Sequence, residues 1–214
     1  MLAVVPDPAT LLAYSLACFV LFMTPGPDMS LFLAKTMTGG RVAGIAAMAG
    51  AFSGLVVHSL LAAFGVSALI AASPAAFLAL KVLGAGYLLW LAVDALRHGS
   101  TLDLRDQDRQ ETSLRRTYLL GLSVNLANPK IVLFFVTFLP QFVVAGDPAA
   151  SGKLLFLGLY FIAFCVPLAL ALILVAERVV EGLKRNRTAM RAIDWLFAGV
   201  FGAFALKILA TQAR

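Results

Sequence analysis

The stretch Thr24-Pro-Gly-Pro-Asp-Met-Ser30, TPGPDMS, lies inside an apolar run. Leu11–Met23, LLAYSLACFVLFM, precedes it, and Leu31–Ala34, LFLA, follows it. Proline lacks a backbone N–H, and its ring clashes with the preceding helical turn. A helix entering this stretch therefore ends before Pro25. A new one starts at Pro27, because Pro suits the first helical position and Gly26 can stand at the N-cap. The surroundings of this break are oily, and that decides how the rest of the chain is read.

The chain has 214 residues, 61% hydrophobic and 13% charged, with a mean hydropathy of +0.93. A soluble domain is about half apolar and about a quarter charged. The composition is that of a membrane protein. A spanning helix needs about 20 mostly apolar residues. Six apolar stretches are readable, at about 9–34, 42–70, 74–96, 117–142, 152–176 and 192–211. No Lys or Arg precedes the first, so it reads as a retained span rather than a cleaved signal.

Charge sets the orientation. Gly39–Arg41, Arg97–Arg116 and Glu177–Arg191 read as connections on one side of the membrane. Together with Lys35 they hold twelve basic residues, against Lys153 and Arg214 on the other side. The positive-inside rule then places both termini outside the cytoplasm. The same rule accounts for the net charge of +6. Nucleic-acid binding is excluded as a function, because no basic stripe sits beside exposed aromatics in a soluble segment. Cys18 and Cys165 are too few and too isolated for a disulfide framework or a metal site. No cofactor is implied.

A second break matches the first. Ala127-Asn-Pro-Lys130 interrupts the fourth apolar stretch, and Asn128-Pro129-Lys130 aligns with Gly26-Pro27-Asp28. Each triplet offers a cap, a proline and then a charge. Three spans lie on each side of the long charged segment. An odd number of spans per half forces the second half to insert inverted. Paired broken helices at matching positions are the sequence sign of an inverted-repeat transporter with a midplane site. The expected architecture is all-α, with six transmembrane helices in two inverted three-helix repeats. Repeat 1 covers about 1–96, a cytoplasmic linker about 97–116, and repeat 2 about 117–214. Helices 1 and 4 are the interrupted ones.

In lipid a broken helix survives only where it is buried in protein or faces a wet cavity. A helix start there offers free N–H groups and a partial positive charge to an anion. The expected substrate site therefore comprises Thr24, Pro25, Gly26, Pro27 and Asp28 from the first break. Asn125, Asn128, Pro129 and Lys130 join them from the second. Asp28 and His58 are the candidate proton-coupling groups. A structural ion pair between Asp28 and Lys130 is the bland alternative. In Gly50–His58, GAFSGLVVH, Gly50, Gly54 and His58 stack on one helix face, where the glycines let another helix approach closely.

Four stretches carry a family resemblance: TPGPDMSLFLAKTMTGGRVAG from Thr24, GAFSGLVVH from Gly50, LKVLGAGYLLWLAVDALR from Leu80, and GLSVNLANPKIVLFFVTFLPQF from Gly121. They closely resemble the LysE/RhtB family of amino-acid exporters, over nearly the whole chain. The likeness is greater to the RhtB branch, of threonine, homoserine and homoserine-lactone type. It implies a multi-pass protein of the bacterial inner membrane that exports amino acids or close derivatives, driven by the proton-motive force. The implied partners are a small-molecule substrate, protons and membrane lipid. A six-span protein of this size can also form a homodimer, although no interface is legible. The competing classes are an exporter of another small solute or cation, an intramembrane hydrolase using Ser53 or Ser59 with His58, and a membrane scaffold. A cation exporter would need clustered Cys, His and acids, which are absent from the sequence. A hydrolase would need a nucleophile, base and oxyanion hole in one geometry. A scaffold gains nothing from paired, oppositely charged breaks.

Overall fold

The computed structural model describes residues 4–98, 113–144, 147–185 and 187–212, and every regular element there is helical. Helix α1, Pro8–Met23, starts at Asp7, whose carboxylate accepts from the N–H groups of Ala9 and Thr10. It stops one residue short of Thr24, as Pro25 requires. Helix α2, Pro27–Leu61, starts at Gly26 with Pro27 in its first turn. Both ends of the first break are where proline chemistry puts them.

Gly39–Arg41 separates two helical segments, as expected from the sequence, but by a single residue rather than a loop. The range given for α2 is two helical segments that meet at Gly40, whose φ of 76° only glycine adopts freely. One residue in the left-handed region turns the chain without a loop. A π-helical turn, Ala62–Val66, carries α2 into α3, Ser67–Ala72. Ser73 Oγ then accepts from Ala76 N–H, opening α4, Pro74–His98. Most of the linker expected at 97–116 falls on residues 99–112, outside the described residues.

Helix α5, Leu114–Ala127, ends at Asn128, and α6, Pro129–Leu133, begins there. The chain bends by 52° at this point. It continues through a π-helical turn, Phe134–Phe138, and a 3-10 turn, Leu139–Phe142. Helix α7 is Ala150–Leu174, α8 is Ala176–Arg185, and α9 is Arg187–Gln212. The supposed connection Glu177–Arg191 is therefore mostly helix. Ala176 and Val180 of α8 pack on Met29 and Leu33 of α2, so its charged sequence has one face against protein.

Among the described residues, three helical stretches are long and apolar enough to cross a membrane: Pro27–Leu69, Leu78–Arg97 and Ala150–Leu174. A fourth is the bent pair Leu114–Ala127 and Pro129–Phe142, taken as one. Pro8–Met23 is apolar but shorter. The 43 residues of Pro27–Leu69 would extend about 65 Å if straight, twice a hydrocarbon core. The kink at Gly40 divides them.

The main core gathers α1, the turns after α6, α7 and α9 around aromatic rings. Phe134, Phe135 and Phe138 touch Phe161 of α7 and Phe201 of α9. Tyr14 joins them and donates its hydroxyl to Leu157 O at 3.0 Å. Leu12, Phe64, Leu83 and Trp195 are exposed, as lipid-facing side chains should be.

Helices α2 and α5 make the most extensive contact in the fold. A Cβ on Gly50 would overlap the Tyr118 carbonyl, and one on Gly121 would overlap that of Ala47. A Cβ on Gly54 would run into the Asn125 side chain. The backbones meet because neither helix has a side chain at these positions. This close contact brings Asn125 and the second break beside α2.

Candidate functional site

Each break leaves a predictable carbonyl without its helical partner. An α-helical C=O bonds the N–H four residues later. Pro25 stands four after Leu21, and Pro129 four after Asn125. Both prolines lack that N–H. An unpaired polar group in hydrocarbon costs several kcal/mol, so each orphan needs a donor from elsewhere.

The second break supplies the donor for the first. Lys130, from the second break, donates through Nζ to Leu21 O at 3.1 Å and to Thr24 O at 2.7 Å. Gly26 makes room for this ammonium, since a Cβ there would lie 3.2 Å from Nζ. At the other break Asn128 N–H takes Asn125 O at 3.1 Å. His58 Nε2 donates to the same oxygen at 3.4 Å, and its ring stacks on Phe135.

Asp28, from the first break, is held by the second. Its Oδ2 accepts from Asn125 Nδ2 at 2.9 Å and Asn128 Nδ2 at 3.0 Å. Asn128 Oδ1 accepts from Lys130 N–H at 3.1 Å, which fixes the orientation of that amide. Asp28 Oδ1 and Asn125 Oδ1 are buried and have no hydrogen-bond partner. No direct ion pair joins Asp28 to Lys130. Each charge instead serves the opposite break, which corrects the reading of a simple structural pair.

A cavity of about 50 Å³ lies between the breaks. Its polar wall contains Thr24, Gly26, Asp28, Asn125, Asn128 and Lys130. Asp28 is the one carboxylate among the described lining residues. Leu21, Phe22, Phe32, Phe52, Leu55 and Phe161 form much of the apolar wall. Ligand clefts are several-fold larger, about 300 Å³ and upward.

Of the site residues expected from sequence, Pro25, Pro27 and Pro129 shape the breaks without lining the cavity. Gly50 and Gly54 sit in the α2–α5 contact. His58 lies behind Asn125 rather than on the cavity wall. Sequence reasoning missed Leu21, whose carbonyl could have been found by counting four residues back from Pro25. It also missed Cys165, which lines the cavity, and the aromatic wall of Phe22, Phe52 and Phe161. Nothing in their local sequence distinguishes these from ordinary core.

The hydrolase geometry is not assembled. Ser59 Oγ donates to Leu55 O and Ser53 Oγ to Ala49 O, while His58 engages Asn125. Among the described residues no group of three or more His, Cys, Asp or Glu could hold a metal ion.

Comparison with known proteins identifies the family. The LysE type translocator family model matches residues 19–212. The homoserine/homoserine lactone efflux protein of Salmonella typhimurium is 29% identical over 189 residues, covering 88% of this chain and 90% of that protein. The leucine efflux protein of Klebsiella pneumoniae is 32% identical over 206 residues, covering 94% and 95%. No solved structure matches the chain. The chain belongs to the LysE type translocators, a family of membrane transporters rather than enzymes.

Proposed function

We propose that this protein exports neutral amino acids across the bacterial inner membrane by proton-coupled alternating access. The observation that carries this reading is Asp28: one oxygen is held by two asparagine amides and the other is buried without a donor. A substrate ammonium completes that carboxylate, with Asn125 Oδ1 as a second acceptor. The substrate carboxylate rests at the start of α2. No side chain caps that start, whereas Asn128 already occupies the start of α6. The third N–H of Lys130 adds a donor for it.

The wall favours a neutral substrate. A lysine would bring a second ammonium, and among the described residues no second carboxylate lines the cavity to receive it. The relatives named for leucine and for homoserine efflux both move neutral side chains. The apolar wall suits the first kind better, although an apolar pocket rejects an added hydroxyl only modestly, by about 100-fold at most.

In this reading the chain crosses the membrane six times, as two inverted repeats of about 1–96 and about 117–214, with both termini outside the cytoplasm. The first crossing joins α1 to α2 before Gly40, and α9 is the sixth. The repeats rock about the paired breaks. Protonation of Asp28 from outside weakens the ammonium contact and releases the substrate.

The test is release from liposomes holding the purified protein and preloaded with a panel of labelled amino acids. Release of a few neutral amino acids, faster with an imposed pH gradient, is expected. Absence of release of every amino acid from folded protein would refute the reading.

A further inference from the structure

Carbonyls at the C-terminal ends of broken half-helices are the groups with which many secondary transporters hold a coupling cation. This chain has such carbonyls, Leu21 O, whose partner Pro25 removes, and Thr24 O, at the extended cap of α1. The place before them is filled by the ammonium of Lys130, tethered to the opposite break. Asp28, on the wall of the same cavity, has an oxygen without a donor and supplies the negative charge that a cation there would need.

We infer that the Lys130 ammonium is a built-in substitute for a coupling alkali cation, and that removing it uncovers a monovalent cation site formed by Leu21 O and Thr24 O, with the Asp28 carboxylate on the same cavity wall supplying the balancing charge. The inference rests on the export reading for its transport consequences, but not for the existence of the site. A single carboxylate with neutral carbonyls balances one positive charge, which selects a monovalent ion. Carbonyl and carboxylate oxygens are the ligands that hard cations prefer. The tethered ammonium explains how a break in lipid stays satisfied with no ion bound. It also ties the end of α1 to the start of α6, so movement of one half is felt by the other.

Two measurements test this on the full-length protein. The first is exchange of labelled leucine in liposomes, in a buffer whose only cation is bulky and organic, then with added sodium, potassium or methylammonium chloride. The wild-type protein should exchange equally well in all four. Lys130→Ala should fall about tenfold or more without small cations, the effect of losing a charged hydrogen-bond donor. It should regain activity with at least one of the three. A wild-type protein that needs an alkali cation overturns the inference, as does a well-folded Lys130→Ala that none of the three affects.

The second is the melting temperature of Lys130→Ala in detergent with the same salts, and it needs no substrate. A rise with a small cation, absent in the wild type and in Lys130→Ala/Asp28→Asn, supports the site. No rise overturns it, even where the variant is too weak to transport. If no amino acid is exchanged by the wild type, the export reading fails and the melting result alone judges the cation site.

Discussion

Asn128 Nδ2 donates to Asp28 Oδ2 at 3.0 Å, so the residue that caps one helix start holds the acid of the other. The same side chain accepts from Lys130 N–H through Oδ1. One amide thus positions both charges of the cavity. Replacing Asn128 with Ala removes a helix cap, worth about 1 kcal/mol, and a hydrogen bond to a carboxylate, worth about 1.5–3 kcal/mol. We expect Asn128→Ala to melt earlier in detergent and to bind leucine more weakly. Unchanged melting and affinity would show that the amide is dispensable.

The contact between α2 and α5 predicts a contrast between glycines. A Cβ at Gly50 meets the backbone of Tyr118, which cannot rotate aside, whereas one at Gly86 meets nothing within 4 Å. Gly50→Ala should destabilise the protein by about 1–3 kcal/mol, the usual effect of overpacking. Gly86→Ala should be neutral or stabilise by up to about 1 kcal/mol, because Ala is the better helix former. Thermal unfolding of the two variants in the same detergent decides the matter, and equal melting would mean that the two helices do not meet as described.

Orientation can be read independently of transport. Reporter fusions after Arg214 and within residues 99–112 should give opposite results, the first active outside the cytoplasm and the second inside. Matching reports from the two would rule out the arrangement of three crossings per half.

Much of the break chemistry was legible in the sequence because proline and capping rules are local. TPGP and NPK located the ends of α1 and α5 and the starts of α2 and α6 to within a residue or two. Glycines four apart likewise announced a close helix contact, although not which helix would fill it. The reciprocal bonding was not legible. Lys130 and Leu21 are 109 residues apart, and no local pattern says that an ammonium will meet that carbonyl. GGR announced the break between the first two helical segments through its turn chemistry, but not that the positive φ of Gly40 alone would make it. Helix α8 was hidden by its charge. Its apolar residues face Met29 and Leu33, and only the fold reveals that partner.

The central claim is that export runs through Asp28, and the direct measurement is pH-gradient-driven release of labelled leucine by Asp28→Asn beside the wild type, in liposomes with equal amounts of folded protein. Asparagine keeps the shape of the side chain but neither the charge that meets the ammonium nor a titrating group. We predict that the gradient accelerates release by the wild type and leaves Asp28→Asn unaffected, while slow exchange persists in the variant. Full gradient-driven release by Asp28→Asn would contradict the account.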